Sequence, residues 1–175
     1  MNRLFGHFSF YSEVNPALVK KTAFKSPRWT PDYQGSFTDQ AILLTSTQRF
    51  ITPECHRAQM PFRHAESGCI IVADVYLTAR EDLCRRLSVP CELSDAELIL
   101  LSYLKWGTDL PHYLAGEFCF AIWHPKEQAL FLATDQFSRR PLLYAHQPGK
   151  NFTFSNEISP FRNTCPTLTT NDNLF

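Results

Sequence analysis

The sequence predicts an α+β layered domain with two stacked antiparallel sheets and outer helices. Three observations lead there. Strand-like segments outnumber helical ones and are joined to their sequence neighbours by short turns, as in antiparallel hairpins. Two strands, CIIVADVYL at 69–77 and EFCFAIW at 117–123, are apolar almost throughout and need cover on both faces. The two amphipathic helices that can be read, at 78–87 and 94–106, cover only one face, so a second sheet must cover the other. A length of 175 residues fits one such domain.

The elements follow in order. RLFGHFSF at 3–10 alternates loosely, with Leu4, Gly6, Phe8 and Phe10 on one side, and reads as an opening strand. The stretch after it, with Pro16, Pro27, Pro31 and Gly35, reads as a long irregular or partly helical connection. AILLTSTQRFI at 41–51 is rich in β-branched and aromatic residues and predicts a strand, followed by Pro53 and a polar loop to about Gly68. TAREDLCRRL at 78–87 predicts a short helix capped by Thr78, with acidic residues in its first turn and Leu83 and Leu87 on its buried face. Ser94 and Glu97 form a capping-box pattern, Leu98, Leu101 and Leu104 with Tyr103 and Trp106 make the buried stripe, and Gly107 ends the helix. Two hairpins complete the chain. EFCFAIW and ALFLATD flank the turn at 124–128, and PLLYAH and NFTFSNE flank Gln147-Pro148-Gly149-Lys150.

Composition excludes several function classes. Seventeen Lys plus Arg balance 17 Asp plus Glu, so no net field favours nucleic acid or an anionic membrane. No apolar run approaches the ~20 residues of a spanning helix, and the N-terminus lacks a signal-peptide pattern, which makes a cytoplasmic location the expectation. Cys55, Cys69, Cys84, Cys91, Cys119 and Cys165 contain no CxxC spacing and read as reduced thiols, with Cys69 and Cys119 as core residues. Cys55-His56 has no second ligand cluster at zinc spacing, so no metal is expected. Asn151-Phe152-Thr153 is a glycosylation sequon without meaning in a cytosolic chain.

The ordered series CIIVADVYLTAREDL, SDAELILLSYLKWG, LAGEFCFAIWHPKEQALFLATD, RRPLLYA and FTFSNEI resembles the N-terminal class II glutamine amidotransferase domain of asparagine synthetase and its relatives. The resemblance implies the N-terminal-nucleophile (Ntn) hydrolase fold, a four-layer αββα sandwich of two stacked antiparallel sheets, which agrees with the cover argument above. Val72, Ala73, Asp74, Leu77, Arg80, Glu81 and Leu83 are similar to the VAD-x-x-L-x-x-R-E-x-L run of lasso peptide macrolactam synthetases and β-lactam synthetases. On this resemblance residues 1–165 form the amidotransferase-like domain, and 166–175 are a tail or the start of a missing synthetase domain. The chain is then either an excised N-terminal domain or a free-standing remnant.

The resemblance also implies a chemistry, and the residues can be tested against it. The family's nucleophile is a Cys at the mature N-terminus, activated by its own α-amino group. Asn2 occupies that position here, its amide is no nucleophile, and the first Ser, Thr or Cys is Ser9. The family's Asn-Gly-Glu triplet, which supplies an oxyanion hole and a carboxylate, is matched by Ala73, Asp74 and Val75. Ala73 has no side-chain donor, and Asp74 would place negative charge where an oxyanion must be stabilised. Asp74 is instead expected to cap or to pair with Arg80 or Arg85. Arg49 and Asp95 fit the positions that bind the carboxylate and α-amino group of glutamine. Arg49 reads equally as a solvent-facing strand residue, whereas Asp95 reads better as a first-turn helix residue that favours the dipole.

TDQFSRRPLLY at 134–144 resembles the family's Arg-Asp-x-x-Gly-x-x-Pro-Leu-Tyr motif, with Thr134 for the Arg and Ser138 for the Gly, which puts a positive-φ turn at 138 in question. Asp135, Arg139 and Arg140 are candidates for an interface with a partner domain. The six glycines include no adjacent pair and hence no phosphate-binding loop, so ATP and Mg are expected only of a missing synthetase domain and no cofactor of this chain. The implied function is a catalytically degenerate amidotransferase-like domain that packs on an ATP-dependent, amide-forming synthetase domain in cis or in trans, or that pairs as a homodimer. A glutamine-hydrolysing domain of asparagine synthase and a free-standing amino-acid-binding module are the alternatives.

Overall fold

The structure is a computed structural model that describes residues 2–15, 17–19, 30–51, 56 and 59–164. Among these, strands β1 (Arg3–Ser9), β2 (Tyr33–Thr38), β3 (Ile42–Gln48), β8 (Leu143–Gln147) and β9 (Asn151–Ser155) form one sheet in the order β2-β3-β1-β9-β8. A second sheet has the order β4-β5-β6-β7, from β4 (Phe62–Arg63), β5 (Ile70–Leu77), β6 (Gly116–His124) and β7 (Ala129–Thr134). Every pairing is antiparallel. The predicted class, two stacked antiparallel sheets with helices, is the observed one.

Side-chain alternation divides the core as that class requires. Leu4, Ile42, Leu44 and Phe154 of the first sheet meet Ile70, Val72, Cys119, Ala121 and Trp123 of the second, all at most 1% exposed. The opposite side of β5 and β6 carries Ile71, Ala73, Phe118, Phe120 and Ile122, which pack on helices α1 (Arg80–Leu87) and α2 (Asp95–Trp106). On the far side of the first sheet Phe5 and Leu43 lie against Val14, Leu18 and Val19. Each fully buried large apolar side chain contributes roughly 1.5–3 kcal/mol.

Close packing fixes two glycines. A Cβ on Gly6 would lie 2.1 Å from the ring of Phe154, so β1 and β9 can adjoin only without one. At Gly116, with φ of 140°, it would lie 2.2 Å from the backbone oxygen of Tyr76, where β6 pairs with β5.

Local signals held where they were self-contained. The Ser94 hydroxyl accepts from the Glu97 amide and the Glu97 carboxylate accepts from the Ser94 amide, so the capping box is formed, and Gly107 follows the last helical residue. A 3-10 helix then runs from Gly107 to Tyr113. The predicted hairpins are β6–β7 and β8–β9. Four readings change. The buried stripe of α2 runs through Leu98, Ile99 and Leu100, while Leu101 is half-buried and Leu104 is exposed. Helix α1 starts at Arg80 behind Ala79 with no side-chain cap, and the Thr78 amide, just past the end of β5, donates to the Ala115 carbonyl. The irregular stretch contains β2, a polar strand of alternating exposure that only pairing with β3 makes regular. Ser138 takes φ of 49°, so the positive-φ turn persists without glycine.

Candidate amidotransferase-type site

Asn2 precedes β1 and is nearly buried, at 9% exposure. Each of its polar groups has a partner. Its backbone N–H donates to Asp74 Oδ1 at 2.7 Å, and its side-chain Nδ2 donates to the Ala73 carbonyl at 3.3 Å. Its Oδ1 accepts from the Arg49 amide at 3.3 Å, and its carbonyl accepts from Asn156 Nδ2 at 2.8 Å. Asn156 Oδ1 in turn accepts from the Leu4 amide at 2.9 Å. A residue placed beside β3 and β5 at the start of the sheet is thus bonded to both sheets.

Asp74 is the centre of this arrangement. In the β5–β6 register it lies opposite Cys119, on the same side of the strand as the inter-sheet residues Ile70 and Val72. Its side chain is 3% exposed, and its second oxygen accepts from Arg140 Nη1 at 2.8 Å. Arg140 Nε reaches Glu117 at 3.5 Å, and Arg139 reaches the other oxygen of Glu117 at 3.4 Å. Burial works against the Arg140 charge, but the Asp74 and Glu117 carboxylates outweigh it and raise the Arg140 pKa above its ordinary value. The expected partner of Asp74, Arg80 or Arg85, is corrected to Arg140. Arg80 instead pairs with Asp95 and donates to the Cys91 and Leu93 carbonyls, and Arg85 faces Asp82.

Asp135 sets Arg140 in place. The buried Asp135 carboxylate accepts four backbone N–H bonds, from Phe118, Phe137, Arg139 and Arg140, at 3.1–3.3 Å. Burial alone would raise its pKa; the four donors reverse that and hold it below the ordinary value. Protonation therefore favours the unfolded chain. The Asp135 contribution is complete above the ordinary carboxylate pKa of about 3.9 and is lost as pH falls through the lower folded value. Asp135→Ala is expected to cost roughly 3 kcal/mol near neutral pH, since the charge-assisted bonds vanish and buried donors are stranded. Urea midpoints measured from pH 7 downward should show the gap from wild type closing below about pH 4.

The other predicted residues divide. Ala73 is wholly buried and Val75 half-buried, and both pack in the cluster on the helix side of β5, so of the 73–75 triplet only Asp74 turns toward Asn2. Arg49 follows β3 with its backbone on Asn2 and is itself exposed. Asp95 opens α2, where it accepts from the Leu77 amide and pairs with Arg80. Of the interface candidates, Asp135 is internal, Arg140 points inward to Asp74, and Arg139 alone is mostly exposed, at 67%. Cys119 is fully buried; burial first and the Asp74 charge second push its thiol up to about 12, so it carries no thiolate at neutral pH. Cys69 is equally buried, as read from the sequence, whereas Cys55 and Cys165 lie outside the described residues.

Sequence reasoning missed Asn156 and Glu117. Both lie inside quoted motifs, FTFSNEI and LAGEFCFAIW, yet their partners, Asn2 and Arg140, are far away in the chain.

A profile of the glutamine amidotransferase domain family matches residues 1–173. The chain belongs to that family. Within it, the domain is 40% identical over 65 residues to asparagine synthetase [glutamine-hydrolyzing] 3 of Bacillus subtilis, a match covering 37% of this chain and 10% of the relative. It is 37% identical over 75 residues to a putative asparagine synthetase of Mycobacterium tuberculosis, covering 42% of this chain and 12% of the relative. Against a probable asparagine synthetase of Dictyostelium discoideum it is 27% identical over 139 residues, 77% of this chain and 25% of the relative. These matches span a tenth to a quarter of the relatives' lengths. Among solved structures, the glutamine phosphoribosylpyrophosphate amidotransferase of B. subtilis superposes with a TM-score of 0.65 over 92% of this chain and 43% of that one. At 15% identity that likeness shows the fold alone.

Among the described residues no helix is long and apolar enough to cross a membrane.

Proposed function

We propose that this domain is a catalytically degenerate member of its family that serves an asparagine-synthetase-related, ATP-dependent amide-forming enzyme as a structural and interaction domain, on a synthetase domain in cis or in trans. The observation that carries the reading is the Asn2–Asp74–Arg140 arrangement. Asn2 stands where the family places its nucleophile, and every polar group it has is committed to a structural bond. Asp74 stands where a developing oxyanion would need donors, and its charge is opposite to what that step requires. Arg139, exposed beside Glu117, is the residue best placed to meet a partner. The style of the β5 segment supports a lasso peptide or β-lactam synthetase-like setting, and the ATP and Mg of such an enzyme would be held by the synthetase domain.

A second reading is favoured by the names of the relatives, several of which are glutamine-hydrolysing asparagine synthetases. On it the domain hydrolyses glutamine. One experiment separates the two. The full chain is incubated with glutamine and glutamate is followed. Under the proposal glutamate stays at the level of the no-protein control; release above it, abolished by blocking the N-terminus, would establish the working amidotransferase. Calorimetry with glutamine on the same material, compared with Arg49→Ala, addresses the third reading. Heat that disappears in the variant would identify an amino-acid-binding module.

A further inference from the structure

Away from this site, the turn between α1 and α2 brings two cysteines together. Cys84 lies in the second turn of α1, on the same helical face as Arg80, which is four residues before it. The chain reverses at Ser88, which adopts φ of 58° as the αL cap of α1, and the Val89 amide donates back to the Cys84 carbonyl at 3.1 Å. The segment that follows is laid along the Arg80 and Cys84 face. Arg80 Nη2 holds the Cys91 carbonyl at 2.9 Å and the Leu93 carbonyl at 2.5 Å. Cys91 is thereby laid beside the Arg80 and Cys84 face, with its thiol near enough to the Cys84 thiol to act on it. Cys84 is buried, at 2% exposure, whereas Cys91 is exposed and lines an open cleft of about 680 Å³ with Tyr76, Thr78, Arg80 and Arg85.

We propose that Cys84 and Cys91 are a paired modification site, a dithiol that closes to a disulfide on reaction with a low-molecular-weight disulfide. The asymmetry in exposure orders the steps. The Cys91 thiolate attacks one sulfur of the external disulfide, a mixed disulfide forms, and the external S–S bond breaks with release of one thiolate, which takes up a proton. Cys84 then gives up its proton, its sulfur attacks the Cys91 sulfur, and the second external thiol leaves. Two protein thiols lose two electrons and two protons, and one external disulfide becomes two thiols. Burial, with the Cys91 thiol adding to it, pushes the Cys84 thiol up to about 11, so the exposed Cys91 is the one that meets the external disulfide first. The product would staple the end of α1 to the segment that carries Leu93 and leads into Asp95.

The test uses the full chain and oxidised glutathione. Trypsin cuts after Arg80, Arg85, Arg86 and Lys105, so Cys84 and Cys91 fall in separate peptides, 81–85 and 87–105. Non-reducing digestion should yield these two peptides joined, and intact mass should show the loss of two hydrogens. Cys84→Ser should stop at the Cys91–glutathione adduct, and Cys91→Ser, a substitution at an exposed position, should give neither product. A stable glutathione adduct on Cys91 of the wild-type chain, linkage through another cysteine, or no reaction at either residue would each overturn the proposal.

Discussion

Arg140→Ala is expected to destabilise the domain by about 3–5 kcal/mol, because it strips a buried carboxylate of its counter-charge. Asp74 is 3% exposed at its side chain, and once Arg140 is gone its hydrogen bonding rests on the Asn2 amide. The charge would then lie between two sheets with little access to water, where an unpaired ion is costly. Urea midpoints give the size of the effect. The double variant Arg140→Ala with Asp74→Asn separates charge from packing. Neutralising Asp74 removes the unpaired ion, so the double variant should recover roughly half of the loss or more. Equal losses in the single and double variants would show that the ion pair is not what Arg140 supplies.

Asn2→Cys, with Met1 removed, is expected to leave glutamine hydrolysis at background. The new α-amine would sit where the Asn2 amide now bonds Asp74 at 2.7 Å. A carboxylate at that distance favours the ammonium form, which cannot take the thiol proton, and the same charge opposes a tetrahedral oxyanion. Asn2→Cys combined with Asp74→Asn replaces the carboxylate by an amide that can donate. Restoring one oxyanion donor is worth about 10²–10³ in rate, so glutamate release from the double variant should exceed that of the single variant by about that factor. Intact mass verifies that Met1 has left, and an enzymatic glutamate assay reads the rate. Hydrolysis by Asn2→Cys alone would show that Asp74 does not block the chemistry.

Which features were legible in the sequence follows from how local their causes are. The α2 boundaries rest on Ser94, Glu97 and Gly107, residues within one turn of the ends they define, and each acts as read. The inner strands β5 and β6 announce burial on both faces through apolar runs, and that demand alone led to two sheets. The family motifs placed Asn2, Asp74 and Arg140 on a list of sites. No local signal joined them.

The partner of Asp74 is 66 residues away, and the partner of the Asn2 carbonyl is 154 residues away. Arg80 and Arg85, close in sequence, were the natural expectation. They fail because Asp74 faces the first sheet while Arg80 is spent on Asp95 and on the carbonyls before it. Likewise β2 is polar and owes its regularity to β3, Thr78 does not cap α1 and its amide donates to the Ala115 carbonyl, and Ser138 is held at positive φ in a turn whose Ser138 amide donates to the Asp135 carbonyl. The sequence by itself determined the fold class, the ends of α2 and the hairpins. The tertiary structure decided which charges neutralise one another, because a buried ion takes whatever opposite charge the folded backbone brings within reach, and separation along the chain does not enter that energy.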